Sequence, residues 1–310
     1  MYAERLDISD ALTWEEGLPR PQWDLIETWV QSRADPDQHR DARIEAVRQW
    51  LSHLAQALGP QFGTAESDDF LVLAPTEDSA PESLAWFAGR CQQRLLSVLA
   101  GVADFDSPGK QVVVALREPE EYYRYVSVFY PEGEHGASMG LHIREGYPHV
   151  VAHGKHLWML ENTLAHELTH VALWLRSMPQ WLEEGFAQMI EHDMTGRGLL
   201  EVTDEMAGRH KRYWGKHGLD DFWRGEGFSR AGKVQELSYQ LAEILVRLLV
   251  EDARPRWFGL VREPLQRFSG FLNEVSAEDC GHGAAREYLG CELSDLAARF
   301  LGPGDWNPSL

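Results

Sequence analysis

The stretch AHELTHVALWLRSMPQWLEEGFAQ, residues 165–188, constrains this 310-residue chain more than any other. Leu160, Leu164, Leu168, Val171, Ala172 and Leu175 recur at helical spacing, so the segment reads as an amphipathic helix with that stripe turned to a core. Pro179 ends it, because a proline ring clashes with the preceding turn and offers no N–H. Beyond the proline, PQWLEEGFAQMIEHD reads as a second helix, with Glu183 and Glu184 in its first turn. Gly185 beside them lets a neighbouring helix come close.

On the first helix His166 and His170 stand four residues apart, hence about 40° apart around the axis and one turn apart along it. Both imidazoles can then reach one ion at roughly 2.0–2.1 Å, the zinc–nitrogen distance. Glu167, one residue on, lies beside such an ion and is placed to take a proton from a metal-bound water. A His-Glu-x-x-His motif is short enough to arise by chance in a chain with 13 histidines, so the weight falls on a third ligand. A hydrolytic zinc site takes three protein ligands and keeps one position open for water. The metzincin pattern needs Gly and His three and six residues past His170, where this chain has Leu173 and Arg176. A glutamate from the second helix, Glu183 or Glu184, is the remaining source.

The pair HELTH … WLEEGFAQ resembles the gluzincin metallopeptidases, the group of thermolysin and the aminopeptidase N-like enzymes, where a Trp-Leu-x-Glu-Gly-x-Ala motif supplies the third ligand. The run from KQVVVALREPEEYYRYV onward is similar to small peptidase-MA-like domains, over about residues 65–302. The resemblance implies zinc as cofactor, His166, His170 and Glu184 as its ligands, Glu167 as general base, and a peptide or protein substrate. It also implies a tyrosine or histidine that holds the oxyanion. Tyr239, in ELSYQLAEILVRLL, has the matching placement, with His210 and Tyr213 as alternatives.

Two departures carry information. Aminopeptidase N-like enzymes place an acid on a strand ahead of the zinc helix to hold a free amino group. Here the comparable stretch, GASMGLHI, has none, which points away from aminopeptidase specificity. The outer acid that steadies a ligand histidine in thermolysin-like sites stands one turn after the ligand glutamate, where this chain has Gln188. His135, His142, His149, His153 and His156 form a run without Asp or Cys partners and read as solvated. His142 or His149 is placed to line a substrate groove if its strand is an edge.

Elsewhere, residues 22–59 read as two helices, the second stopped by Gly59-Pro60. DDFLVLAP and KQVVVALR read as strands, PESLAWFAGRCQQRLLSVLAGV and EPEEYYRYVSVFY as helices, ASMGLHI and YPHVVAH as further strands, and the rest as mostly helical. The expected fold is α+β: a small mixed sheet, then a mostly helical zincin-like half, behind an N-terminal helical extension. The expected domains are 1–63 and 64–310. A formal charge of −20 repels phosphate backbones and anionic lipid, so neither nucleic acid nor membrane is an expected partner. The acidic N-terminus lacks an apolar core, and three scattered cysteines fit free thiols, together pointing to the cytoplasm. The reading is a zinc metallopeptidase. The alternatives are a catalytically silent zinc-bearing binding module and a hydrolase of a non-peptide amide or ester.

Overall fold

The computed structural model describes residues 6–33, 35–99, 101–132, 138–197, 200–253 and 263–309. The chain divides into two compact units, Met1–Gln92 with Phe105–Leu168, and Gln93–Asp104 with Thr169–Leu310. Two of its three boundaries fall inside helices, Ala80–Val98 and Leu157–Leu173, and the third, at Asp104 and Phe105, in a loop.

The first unit opens with a hairpin that the sequence reading missed, β1 (Leu12–Glu15) and β2 (Leu18–Pro21). Glu16 and Gly17 close it at φ 50° and 71°, the left-handed pair that matches strand twist. Helices α1 (Trp23–Arg33) and α2 (His39–Leu58) follow, then strands β3 (Phe62–Glu66) and β4 (Phe70–Pro75). Helix α3 (Ala80–Val98) crosses to β5 (Gln111–Leu116), and α4 (Pro119–Ser127) starts at a capping box of Glu118 and Glu121. Strands β6 (Gly140–Ile143) and β7 (His149–His153) lead into α5 (Leu157–Leu173).

The sheet order is β3-β4-β5-β7-β6, with β4, β5 and β7 parallel and the two outer strands antiparallel. Strands β4 and β5 are buried along their whole length, as expected of apolar runs covered on both faces. Val112, Val114, Leu116 and Val151 on one face share a core with Val47, Trp50, Leu51 and Leu54 of α2. Residues 1–63 were expected as a separate extension. In the structure α2 packs on the sheet, with Val47, Trp50, Leu51 and Leu54 in one core with residues of β5 and β7.

The second unit is helical: α6 (Gln180–Thr195), α7 (Asp204–His217), short α8 (Asp220–Trp223) and α9 (Glu226–Ser229), α10 (Lys233–Ala253), α11 (Glu263–Glu274), short α12 (His282–Ala284) and α13 (Leu293–Leu301). Its core is aromatic. Trp181, Trp214, Phe222 and Trp223 are buried, with the Trp181 and Trp223 rings edge to face at 5.3 Å. The α+β expectation holds. Among the described residues no helix is long and apolar enough to cross a membrane.

Candidate metal centre

Helix α5 forms because its stripe is real. Leu160, Leu164, Leu168, Val171 and Ala172 are buried, which leaves His166, Glu167 and His170 half-buried on another side. Leu175 does not belong to the stripe: the helix ends at Leu173 and Leu175 is 55% exposed. Pro179 was expected to end α5; the helix stops earlier, at Leu173, and Pro179 occupies the N-cap position of α6. Helix α6 then packs on α10 at Gly185, where an added Cβ would stand 2.6 Å from the Ala242 carbonyl oxygen. That close approach seats Glu184, 9% exposed, against the interior.

A carboxylate buried to that degree needs a cation or donors nearby. His166, His170 and Glu184 supply the setting: one ligand atom from each lies within 4.8 Å of the others. His170 Nε2 stands 3.9 Å from Glu184 Oε2. Donors around a tetrahedral zinc with bonds near 2.0–2.2 Å are about 3.3 Å apart, a closure that side-chain rotation can supply. Two imidazoles and a carboxylate are also the donor set of a hydrolytic zinc site.

The other ring nitrogen of His170 is taken. Nδ1 lies 2.8 Å from Glu183 Oε1, and since a carboxylate only accepts, Nδ1 donates to it; in a neutral imidazole the lone pair then sits on Nε2. The resemblance leaves Glu183 at the unspecified position of its motif and puts Gln188 where an outer group would steady a ligand histidine. The amide of Gln188 donates to Glu191 at 3.5 Å, and the acid on His170 is the residue just before Glu184.

Glu167 lies against the sheet. A Cβ on Gly140 would stand 2.8 Å from Glu167 Cγ and 3.0 Å from its Oε1, so β6 reaches α5 only because residue 140 is glycine. Among the described residues β6 is an edge strand, paired with β7. Just before it, the Ser138 hydroxyl bonds the Tyr122 phenol at 2.7 Å. Burial pushes Tyr122 up to about 12, and the negative charge of Glu167 adds to that push. Gly136, Ala137 and His135 lie outside the described residues.

The remaining candidates separate. Tyr239 is half-buried on α10, one turn before Ala242 and on the face that carries Ala242 and Val246 against Gly185. Its ring meets Phe228 edge to face at 5.2 Å. His210 is fully buried: it accepts from the Trp214 indole at Nδ1 (3.2 Å) and donates from Nε2 to Gln240 (3.1 Å), and burial pushes it down to about 4. Tyr213 packs against Trp214 and His217. His149 does not line a groove. It is buried, accepting from Tyr125 at 2.8 Å and donating to the Tyr147 carbonyl at 2.7 Å, and burial pushes it down to about 4. His142 is half-buried on β6, His153 lies 4.7 Å from the Tyr122 ring, and His156 stacks on Trp158. Burial pushes the Cys91 thiol up to about 12, the reverse of an activated nucleophile.

One arrangement had no sequence signal. Glu243, 1% exposed on α10, takes His192 at 2.8 Å and Arg247 at 2.9 Å. Arg247 and Arg94 both reach Asp193, at 3.0 and 2.6 Å. These residues look like ordinary surface charges in sequence, and only helix packing shows them as a linked network around the buried Glu243. Among the described residues, His166, His170 and Glu184 are the one group of three or more that fits a metal ion. No protein-family model and no curated protein matches the chain.

Proposed function

We propose that the chain is a zinc-dependent metallopeptidase, with His166, His170 and Glu184 holding the metal and Glu167 acting as general base. The convergence of two histidines and a buried carboxylate, with a second carboxylate next to the first histidine, carries this reading. When bound, zinc supplies Lewis-acid polarisation of the attacking water and of the scissile carbonyl. Glu167 accepts the proton that the water loses and delivers it to the leaving nitrogen. Tyr239 donates its phenolic O–H to the oxygen on which charge develops.

The substrate in this reading is an extended peptide cut internally. Edge strand β6 leaves backbone groups for a further strand, and Gly140 puts that edge against Glu167. Ser138, Met139 and Gly140 offer no acid to fix a free amino group. With a formal charge of −20 the chain is a poor match for nucleic acid or an anionic membrane.

Elemental analysis of purified protein tests the centre. About one zinc per chain is expected, falling to background in a His166→Ala, His170→Ala double variant. A full equivalent retained by that variant refutes the ligand assignment. Glu167→Gln should keep the zinc and lose about 10²–10⁴-fold in turnover of an N-acetylated peptide library. Unchanged turnover removes the mechanism, and a wild type that binds zinc but cleaves nothing favours the silent binding module.

A further inference from the structure

We propose that Glu183 is the positioning residue of the centre, the group that orients His170 and sets how tightly the metal is held. This rests on the reading of His166, His170 and Glu184 as metal ligands. The observation is the 2.8 Å contact between His170 Nδ1 and Glu183 Oε1. A proton held on Nδ1 selects the tautomer whose Nε2 carries the ligating lone pair, and the carboxylate makes that nitrogen more basic. It also stops rotation of the ring, so the ligand lone pair is aimed before a metal arrives.

Position on α6 makes the role specific. Successive helical residues point about 100° apart, so adjacent glutamates face different surroundings. Glu184 turns inward to Nε2, while Glu183 stays half-buried and reaches Nδ1. One turn of one helix thus supplies both the carboxylate for the metal and the carboxylate for its histidine. Glu183 also adds a negative charge one imidazole away from the cation, which a neutral amide would not.

Full-length wild type, Glu183→Ala and Glu183→Gln are compared for zinc Kd by competition with a chromophoric chelator, together with the urea midpoint of the metal-free protein. Loss of an outer partner of a metal-bound histidine costs 10–100-fold in affinity, and that loss is expected for Glu183→Ala. Glu183→Gln, whose amide oxygen still accepts from Nδ1, should fall between, and the exposed control Glu205→Gln should match wild type. Wild-type zinc affinity in both Glu183 variants overturns the proposal, whatever happens to the urea midpoint. Should the alanine variant fail to fold, the glutamine variant decides alone: unchanged Kd overturns, and weaker binding supports. A wild type that binds no zinc overturns the centre itself, a result distinct from equal binding by all three proteins.

Discussion

Replacing Gly185 by alanine sets two effects of known size against each other. In a helix interior alanine is favoured over glycine by about 1 kcal/mol. Against this, the new Cβ would lie 2.6 Å from the Ala242 carbonyl oxygen, 2.8 Å from its carbonyl carbon and 2.6 Å from Val246 Cγ2. Comfortable contact needs roughly 3.5 Å, so α6 must back away from α10 by about 0.9 Å there. Two of the three atoms are backbone, so no rotamer change relieves the clash. Overpacking of this kind costs about 1–3 kcal/mol, and an unyielding neighbour favours the upper end. The net expectation is a loss of about 1–2 kcal/mol, seen as a lower urea midpoint at unchanged slope. Glu184 moves with the helix, so zinc retention should fall as well. Gly89→Ala on α3 is the control: its Cβ meets nothing within 4 Å, and propensity alone should add about 0.5–1 kcal/mol. If Gly185→Ala is as stable as wild type while Gly89→Ala gains, the helix contact does not have the tightness that seats Glu184.

Three further outcomes follow from other residues. His149, pushed by burial from 6.5 to about 4, contributes stability that is complete above pH 6.5 and is lost as pH falls toward 4, roughly 3 kcal/mol in all. His149→Phe should therefore flatten the acid limb of a urea-midpoint profile, and an unchanged slope would refute the assignment. His192 is shifted the other way, raised chiefly by its hydrogen bond to Glu243, so its contribution is complete below pH 6.5 and is lost as pH rises through the raised value. His192→Gln should flatten the alkaline limb of the same profile. Tyr239→Phe should keep zinc and the urea midpoint near wild type while turnover falls roughly 10²-fold. A silent rate with about 1 kcal/mol lost would leave the phenol as a packing group against Phe228.

Elements whose own pattern decides them were legible in sequence. Helix α2 repeats apolar residues at 3.6 spacing and stops at Gly59; β5 is a β-branched run; α4 begins at Glu118-Pro119. The β1–β2 hairpin was not legible, because each strand has four residues and β2 carries Pro19 and Pro21. Its only mark is the Glu16-Gly17 turn, and glutamate gives no hint of a left-handed backbone. Strand β3, FGTAE, lacks an apolar alternation and exists through its pairing with β4, Phe62 opposite Pro75. The same limit explains the expected extension. The stripe of α2 says that Trp50 is buried, yet Val112 and Val114 of the same core lie in a strand more than sixty residues away.

At the centre, the division runs between spacing and orientation. The helical repeat fixes His166 and His170 one turn apart, whereas the preference for Glu184 over Glu183 as the third candidate ligand comes from the gluzincin resemblance and not from spacing. The side of the imidazole that each glutamate meets depends on how the His170 ring is turned between two helices, and no spacing rule encodes that. An outer acid sought one turn after Glu184 is a rule about position along a helix. For His170 the structure meets the chemical need, an acceptor for Nδ1–H, with a carboxylate that the packing of α5 and α6 brings beside the ring. It follows that moving Glu183 to position 188 by a paired exchange, Glu183→Gln with Gln188→Glu, should give no more metal affinity than Glu183→Gln alone, because the carboxylate would then sit more than a full turn from its place beside the His170 ring.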